Sequence, residues 1–196
     1  MAIHIGVLSL QGSVEEHMAM LEQLDGVEAE RVGSAEALAR VQGLILPGGE
    51  STTMGKLLRE FGLLEPLRRR IGNGMPVWGT CAGMILLAKG VVGEAPHLAV
   101  MDIAVRRNAY GRQIESFARS IPVPALGEGA IPLVFIRAPW IECAAPQVEI
   151  LCRLDGHIVA AREGHMLATS FHPELTQCVR FHQYFVQIVR TAMQTE

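Results

Sequence analysis

The segment Gly79-Thr80-Cys81-Ala82-Gly83 constrains this chain more than any other. It follows Pro76-Val77-Trp78, a short run that reads as a strand, and it leads into an apolar helical pattern, Met84 to Ala88. Strand, tight turn and helix in that order predict an α/β junction. The same order recurs upstream. Ile3 to Leu10 is an apolar run that fits a buried strand, and Val14, Met18 and Leu21 then recur at helical spacing, giving a helix over about 13–24. Ser13 and Glu16 match a capping box at its start. Gly43-Leu44-Ile45-Leu46 is a second buried strand, stopped by Pro47-Gly48-Gly49, and Met54, Leu57, Leu58 and Phe61 continue as a helix. Glu65 to Ile71 is a further short helix. Such alternation predicts a parallel sheet with crossover helices.

The second half is strand-rich. Val100–Arg106, Gln113–Val123, Ile131–Ile136, Val148–Leu154, His157–Arg162 and Met166–Ser170 all read as strands. Asp155-Gly156 is a hairpin signal. A last helix begins near Gln177, with Val179, His182, Phe185, Val186 and Val189 on one face. The 196 residues show no internal repeat or linker and fit one domain spanning 1–196. Charged residues are 19% and apolar residues 49%, against a typical charged share of ~25%. That excludes a disordered chain, and so sparse a charge hints at surface kept for a partner. A net charge of −3 gives no basic balance for nucleic acid or an anionic membrane. No apolar run approaches the ~20 residues of a membrane span. The start carries no basic segment of a secretory signal. A reducing cytoplasm with free thiols is therefore expected.

Three features fall where ligands bind in an open α/β sheet, beyond the carboxyl ends of strands. In the elbow the flanking glycines permit a tight turn that lifts Cys81 out of the sheet, and the amide of Ala82 lies at a helix start. By itself the motif suits a nucleophile and a small buried cysteine equally well. Phe171-His172-Pro173-Glu174 offers a base and an orienting carboxylate, with Pro173 shaping the turn. Taken alone, a His-x-Glu is more often an exposed loop. Leu46-Pro47-Gly48-Gly49-Glu50-Ser51 presents backbone amides suited to an oxyanion. It lacks the pattern of a phosphate loop. A zinc site needs three or more ligands, which no cluster supplies, so no metal is expected. Together the three make a constellation for acyl transfer through a thioester. Cys143, Cys152 and Cys178 lack an adjacent base and read as buried fillers.

These residues resemble the class I, triad-type glutamine amidotransferases. IGVLSLQG at 5–12 with Glu16-His17, LILPGGEST at 44–52, GTCAGMILLAK at 79–89, RNAYGRQ at 107–113, FIRAP at 135–139 and SFHPELT at 170–176 are similar to one branch of that family, the glutaminase subunits of pyridoxal 5′-phosphate synthases. The resemblance covers nearly the whole chain. The stretches 25–40 and 119–131 are its variable places, where loops are expected to drift. The resemblance implies a three-layer α/β/α, flavodoxin-like domain that hydrolyses L-glutamine without a cofactor. It makes Cys81 the nucleophile, His172 the base and Glu174 its orienter. The amides of Gly49 and Ala82 would form the oxyanion hole. Gly49, Glu50, Ser51, Arg107, Ile136 and Arg137 would bind glutamine. The implied partner is a (β/α)8-barrel synthase subunit in a hetero-oligomer, and His17 is a candidate for that interface. The rival readings are a glutaminase serving another synthase, such as that of histidine biosynthesis, and a stand-alone cysteine hydrolase.

Overall fold

The computed structural model of the chain describes residues 2–110 and 116–194. The tail of the RNAYGRQ motif, Gly111 to Gln113, and the expected strand start at 113–115 lie outside them. The strands are β1 (Ile3–Leu8), β2 (Val27–Val32), β3 (Gly43–Leu46), β4 (Val77–Thr80), β5 (Ala88–Val91), β6 (Met101–Arg106), β7 (Ser116–Pro122), β8 (Ala130–Ile136), β9 (Trp140–Ala144), β10 (Glu149–Leu154), β11 (His157–Glu163) and β12 (Met166–Thr169). The helices are α1 (Val14–Leu21), α2 (Ala35–Arg40), α3 (Ser51–Glu60), α4 (Leu64–Gly72), α5 (Ala82–Leu87) and α6 (Arg180–Gln194).

The main sheet runs β2-β1-β3-β4-β12-β11-β9-β6-β5, with β10 paired to β11, and β7 and β8 form a separate antiparallel hairpin. From β2 to β12 the strands are parallel. This opening order with crossover helices is flavodoxin-like. From β12 onward most pairings are antiparallel, which allows the short hairpin at Asp155-Gly156, where both residues take positive φ.

Alternation along the buried strands separates two cores. On one face Leu44, Leu46, Val77 and Ala168 pack with Met54 and Leu58 of α3, Leu67 and Ile71 of α4, and α5. On the other, Ile45, Trp78 and Leu167 pack with Met18 and Leu21 of α1, with Phe181, Phe185 and Val189 of α6, and with Phe135 of the hairpin. The sheet is thus sandwiched into three layers.

The two stretches expected to vary both hold secondary structure. Residues 25–40 hold β2 and α2, and 119–131 hold the end of β7, a 3-10 turn at Pro124–Leu126 and the start of β8. β2 escapes a periodicity reading because it is a half-exposed edge strand written Val-Glu-Ala-Glu-Arg-Val. Two thiols also differ from expectation. Cys152 is buried, but Cys143 is exposed and Cys178 half-buried. Cys143 lies in β9, whose residues 142 and 143 both face solvent.

Candidate active site

The carboxyl ends of β1, β3, β4 and β12 meet at one edge of the sheet. Thr80 and Thr169 are register partners. Cys81 follows one residue after the first and His172 three after the second, so strand pairing alone brings them together. The segments after β1 and β3 add Gln11 to Ser13 and Gly48 to Ser51. All of these line a cavity of about 510 Å³, together with Ala82, Arg107, Ile136 and Arg137.

Cys81 stands at φ 49°, ψ −103°, a region that costs a residue bearing a Cβ about 1–3 kcal/mol. Its amide donates to the Thr169 carbonyl at 2.8 Å and so ties the turn to β12. A Cβ on Gly79 would lie 2.4 Å from the Gly83 carbonyl carbon, and one on Gly83 would lie 2.0 Å from the Leu46 carbonyl oxygen. The spacing of the motif is therefore steric. The elbow closes against itself and against β3 only with glycine at both ends. The thiol lies 3.9 Å from the Ile136 carbonyl oxygen, and it shares the cavity with His172, whose pKa it helps to raise.

His172 is buried, and its amide donates to Val134 O at 2.7 Å. Pro173 opens a 3-10 turn, Pro173–Leu175, that folds Glu174 back under the ring. Glu174 Oε1 lies 2.8 Å from His172 Nδ1. The same oxygen accepts a 2.6 Å bond from Ser13 Oγ. Burial opposes charge on His172, but hydrogen bonds to Cys81 and Glu174 and their charges outweigh it and raise its pKa to about 10. Burial likewise opposes ionisation of Glu174, yet His17, His172 and Ser13 hold its pKa down to about 2. Of these, His17 is itself driven toward its neutral form by complete burial, so His172 and Ser13 are the partners that sustain the carboxylate.

Ser13 thus departs from the capping-box expectation. It is the N-cap of α1 but makes no side-chain cap bond; its Oγ is turned instead toward Glu174, to which it donates a charge-assisted hydrogen bond. His17 is also not at a surface. It is fully buried behind Glu174, its Nε2 lying 3.4 Å from Glu174 Oε2.

The remaining expected residues divide by what their side chains already do. Gly49 and Ala82 line the cavity. The adjoining Gly48 carbonyl accepts from Ser13 N at 3.0 Å, and Glu50 N donates to Gln11 Oε1 at 2.9 Å. The Glu50 carboxylate caps α3 through Thr52 N and Thr53 N, and its backbone is engaged as well, the N–H by Gln11 Oε1 and the carbonyl by Met54 N. Ser51 presents a buried hydroxyl with no partner among the described residues. Arg107 is engaged by Glu94 at 2.7 Å and Glu50 at 3.0 Å. Arg137, at φ 42°, is exposed and has no ionic partner among the described residues. Gln11, Ser13, Thr80 and His182 are the members that motif reading passes over. The one signal for the first two is their place directly after a buried strand.

The comparisons with known proteins agree with this geometry. The profile of the SNO glutamine amidotransferase family matches residues 7–191. The chain is 55% identical to the pyridoxal 5′-phosphate synthase subunit PdxT of Clostridium botulinum, over 94% of this chain and 96% of that one. It is 56% identical to the protein of the same name from Dehalococcoides mccartyi strain 195, over 95% and 97%. Among solved structures, a glutamine amidotransferase superposes with a TM-score of 0.89 at 47% identity, covering 95% of this chain and 98% of that one. A chain of the PurLQS structure from Thermotoga maritima shares the fold at a TM-score of 0.69 and 17% identity, covering 98% and 100%. With a strand-end cysteine, histidine and glutamate drawn together in a cavity, and a profile match running almost end to end, this chain belongs to the SNO glutamine amidotransferase family.

Proposed function

We propose that this chain is the glutaminase subunit of a pyridoxal 5′-phosphate synthase. It hydrolyses L-glutamine to glutamate and ammonia and passes the ammonia to a (β/α)8-barrel synthase subunit. The observation that carries the reading is the buried grouping of Cys81, His172 and Glu174, with Cys81 and His172 lining one cavity together with Gly49 and Ala82, and His172 Nδ1 2.8 Å from Glu174. The setting is the cytoplasm, and the whole chain acts as one glutaminase domain.

In this reading His172 takes the Cys81 proton, and the sulfur attacks the side-chain amide carbon of glutamine. The oxyanion is held by the amides of Gly49 and Ala82, each donor worth roughly 10²–10³ in rate. An imidazole with its pKa raised to about 10 keeps the proton until the leaving nitrogen accepts it. Ammonia departs and a thioester remains. Water, losing its proton to His172, attacks the thioester. Glutamate leaves and the proton returns to the sulfur. No cofactor enters.

Ser51 supplies a free hydroxyl at the cavity wall, and Ile136 a carbonyl beside the sulfur. An arginine suits the glutamine α-carboxylate. Arg137 is the readier clamp, because Arg107 must first leave Glu50 and Glu94. Turning the Gly48–Gly49 peptide to aim its N–H at the oxyanion would break the Ser13 N–H to Gly48 O bond. That bond is worth roughly 0.5–1.5 kcal/mol, a cost that docking of the synthase subunit can offset.

The test is glutamate release from L-glutamine with and without the synthase subunit. Release should rise on its addition and vanish in Cys81→Ala. Turnover surviving that substitution, or indifference to the synthase subunit, would overturn the reading. Co-purification with a barrel from another pathway would favour a different amidotransferase.

A further inference from the structure

Behind Glu174 lies a second layer of buried polar side chains that the reaction scheme leaves unused. His17 on α1 and His182 on α6 are both fully buried. His17 Nδ1 lies 2.9 Å from His182 Nε2. On the other side of the ring, His17 Nε2 lies 3.2 Å from Thr80 Oγ1 and 3.4 Å from Glu174 Oε2. His182 sits edge-on to Trp78, with ring centroids 4.9 Å apart, so its position is set by packing.

Glu174 uses its two oxygens unequally. Oε1 takes both His172 and Ser13, while Oε2 is buried without an aligned hydrogen bond. A carboxylate oxygen in that state is costly, and the donor that faces it is His17. The 3.4 Å contact falls outside hydrogen-bond alignment at rest. In unliganded active sites such contacts are often long and tighten as charge develops.

Two separate considerations fix where the protons of the pair sit. With the proton on His17 Nε2, that N–H faces both Thr80 Oγ1, its aligned acceptor at rest, and Glu174 Oε2, and Nδ1 accepts from His182 Nε2–H. In the opposite tautomer a lone pair would face the buried carboxylate oxygen. The second consideration is His182 Nδ1, which has no partner among the described residues. If His182 Nε2 accepted, that Nδ1 would be a buried N–H with nothing to donate to, the rarer and costlier kind of orphan. Both considerations select Nε2–H on both rings, and the protons of the chain then run from His182 through His17 to the Thr80 hydroxyl and the carboxylate beside it.

We infer that His17 is a positioning residue: its Nε2–H, backed by His182, holds the second oxygen of Glu174 and so fixes the carboxylate that orients the His172 ring. His172 Nδ1–H is then committed to Glu174, and Nε2 is left to face Cys81. The inference rests on the glutaminase reading only for its kinetic arm.

The experiment uses the full chain with ¹⁵N-labelled histidine. Long-range ¹H–¹⁵N spectra should show His17 protonated at Nε2 and bare at Nδ1. Observation of the Nδ1–H tautomer would overturn the inference. Glutamate release is then measured with the synthase subunit for wild type, His17→Leu and His17→Gln, the last keeping a donor near the Nε2 position. His17→Leu should lose kcat by about tenfold or more with KM little changed, and His17→Gln should recover most of it. Wild-type kcat in His17→Leu, or equal loss in both variants, would overturn it. If His17→Leu does not fold, the tautomer and His17→Gln decide. Absence of wild-type turnover would instead count against the glutaminase reading and leave the tautomer result standing.

Discussion

Cys81 holds a backbone conformation that its own Cβ disfavours, and its neighbours keep it there. The Thr169 carbonyl fixes its amide, and two glycines let the turn close. The same crowding governs the proposed base, His172. A methyl on Gly48 would come within 2.3 Å of His172 Cε1. Gly48→Ala should therefore push the ring aside and lower glutamate release by about 10²-fold, the effect of a displacement near 1 Å, with an unchanged far-UV spectrum. Normal turnover in that variant would mean the ring has room the structure does not show. The raised pKa of His172 has a testable origin too. Burial alone would lower it, and Cys81 is the foremost of the groups that raise it. In Cys81→Ala the imidazole should titrate below its wild-type value when followed by NMR. An equal value would assign the shift to Glu174. Residues joined by short covalent spacing, such as His172 with Glu174, were legible in the sequence. Ser13 and His17 were not, because they reach Glu174 only across the folded sheet. Ser13 even carried a misleading local signal, since the spacing to Glu16 is that of a cap.

At the level of elements, the apolar buried strands β1, β3, β4 and β12 and the helices between them were readable because each carries a strong burial pattern. The elements that escaped are short or half-exposed. α2 has six residues and only Ala37 and Leu38 buried. β5 has four residues with its middle pair uncovered. Such pieces persist through neighbours and caps rather than through their own periodicity. For α2 the cap is Ser34, whose side chain accepts from Ala37 N at 3.2 Å. Ser34→Ala should cost about 1 kcal/mol in denaturant unfolding and leave glutamate release untouched, since α2 contributes nothing to the cavity. Loss of turnover there would tie α2 to the site by a route that the packing does not suggest.

For the whole molecule, the sparse charge finds a plain explanation. The sheet is covered on both faces, so apolar side chains have two cores to fill. The accessible surface is 9002 Å², close to the about 9,100 Å² expected of a folded monomer of this mass. Among the described residues the large apolar side chains left exposed are Phe61, Val92, Leu175 and Met193. Leu175 alone of these borders the cavity, so low charge does not by itself reveal a docking face. Stability should carry the imprint of the buried carboxylate. Against burial, its partners hold the Glu174 pKa at about 2, below the ordinary 4.5. A group depressed in this way contributes stability that is present above the ordinary value and is lost as pH falls toward the folded one. The denaturation midpoint should therefore drop between pH 5 and 3 more steeply in wild type than in Glu174→Gln. Parallel slopes would show that other carboxylates govern the acid limb.

β12 lies at the centre of the sheet, yet it is the last strand of the chain to be made. It joins the parallel half, through β4, to the antiparallel half, through β11. Its partner β4 precedes it by nearly ninety residues, the kind of distant pairing that forms slowly. Until it inserts, Cys81 has neither the carbonyl that pins its turn nor the histidine that serves it. The Cys81 turn is therefore assembled early and completed last, and under the proposed mechanism a growing chain carries no working nucleophile until β12 is in place.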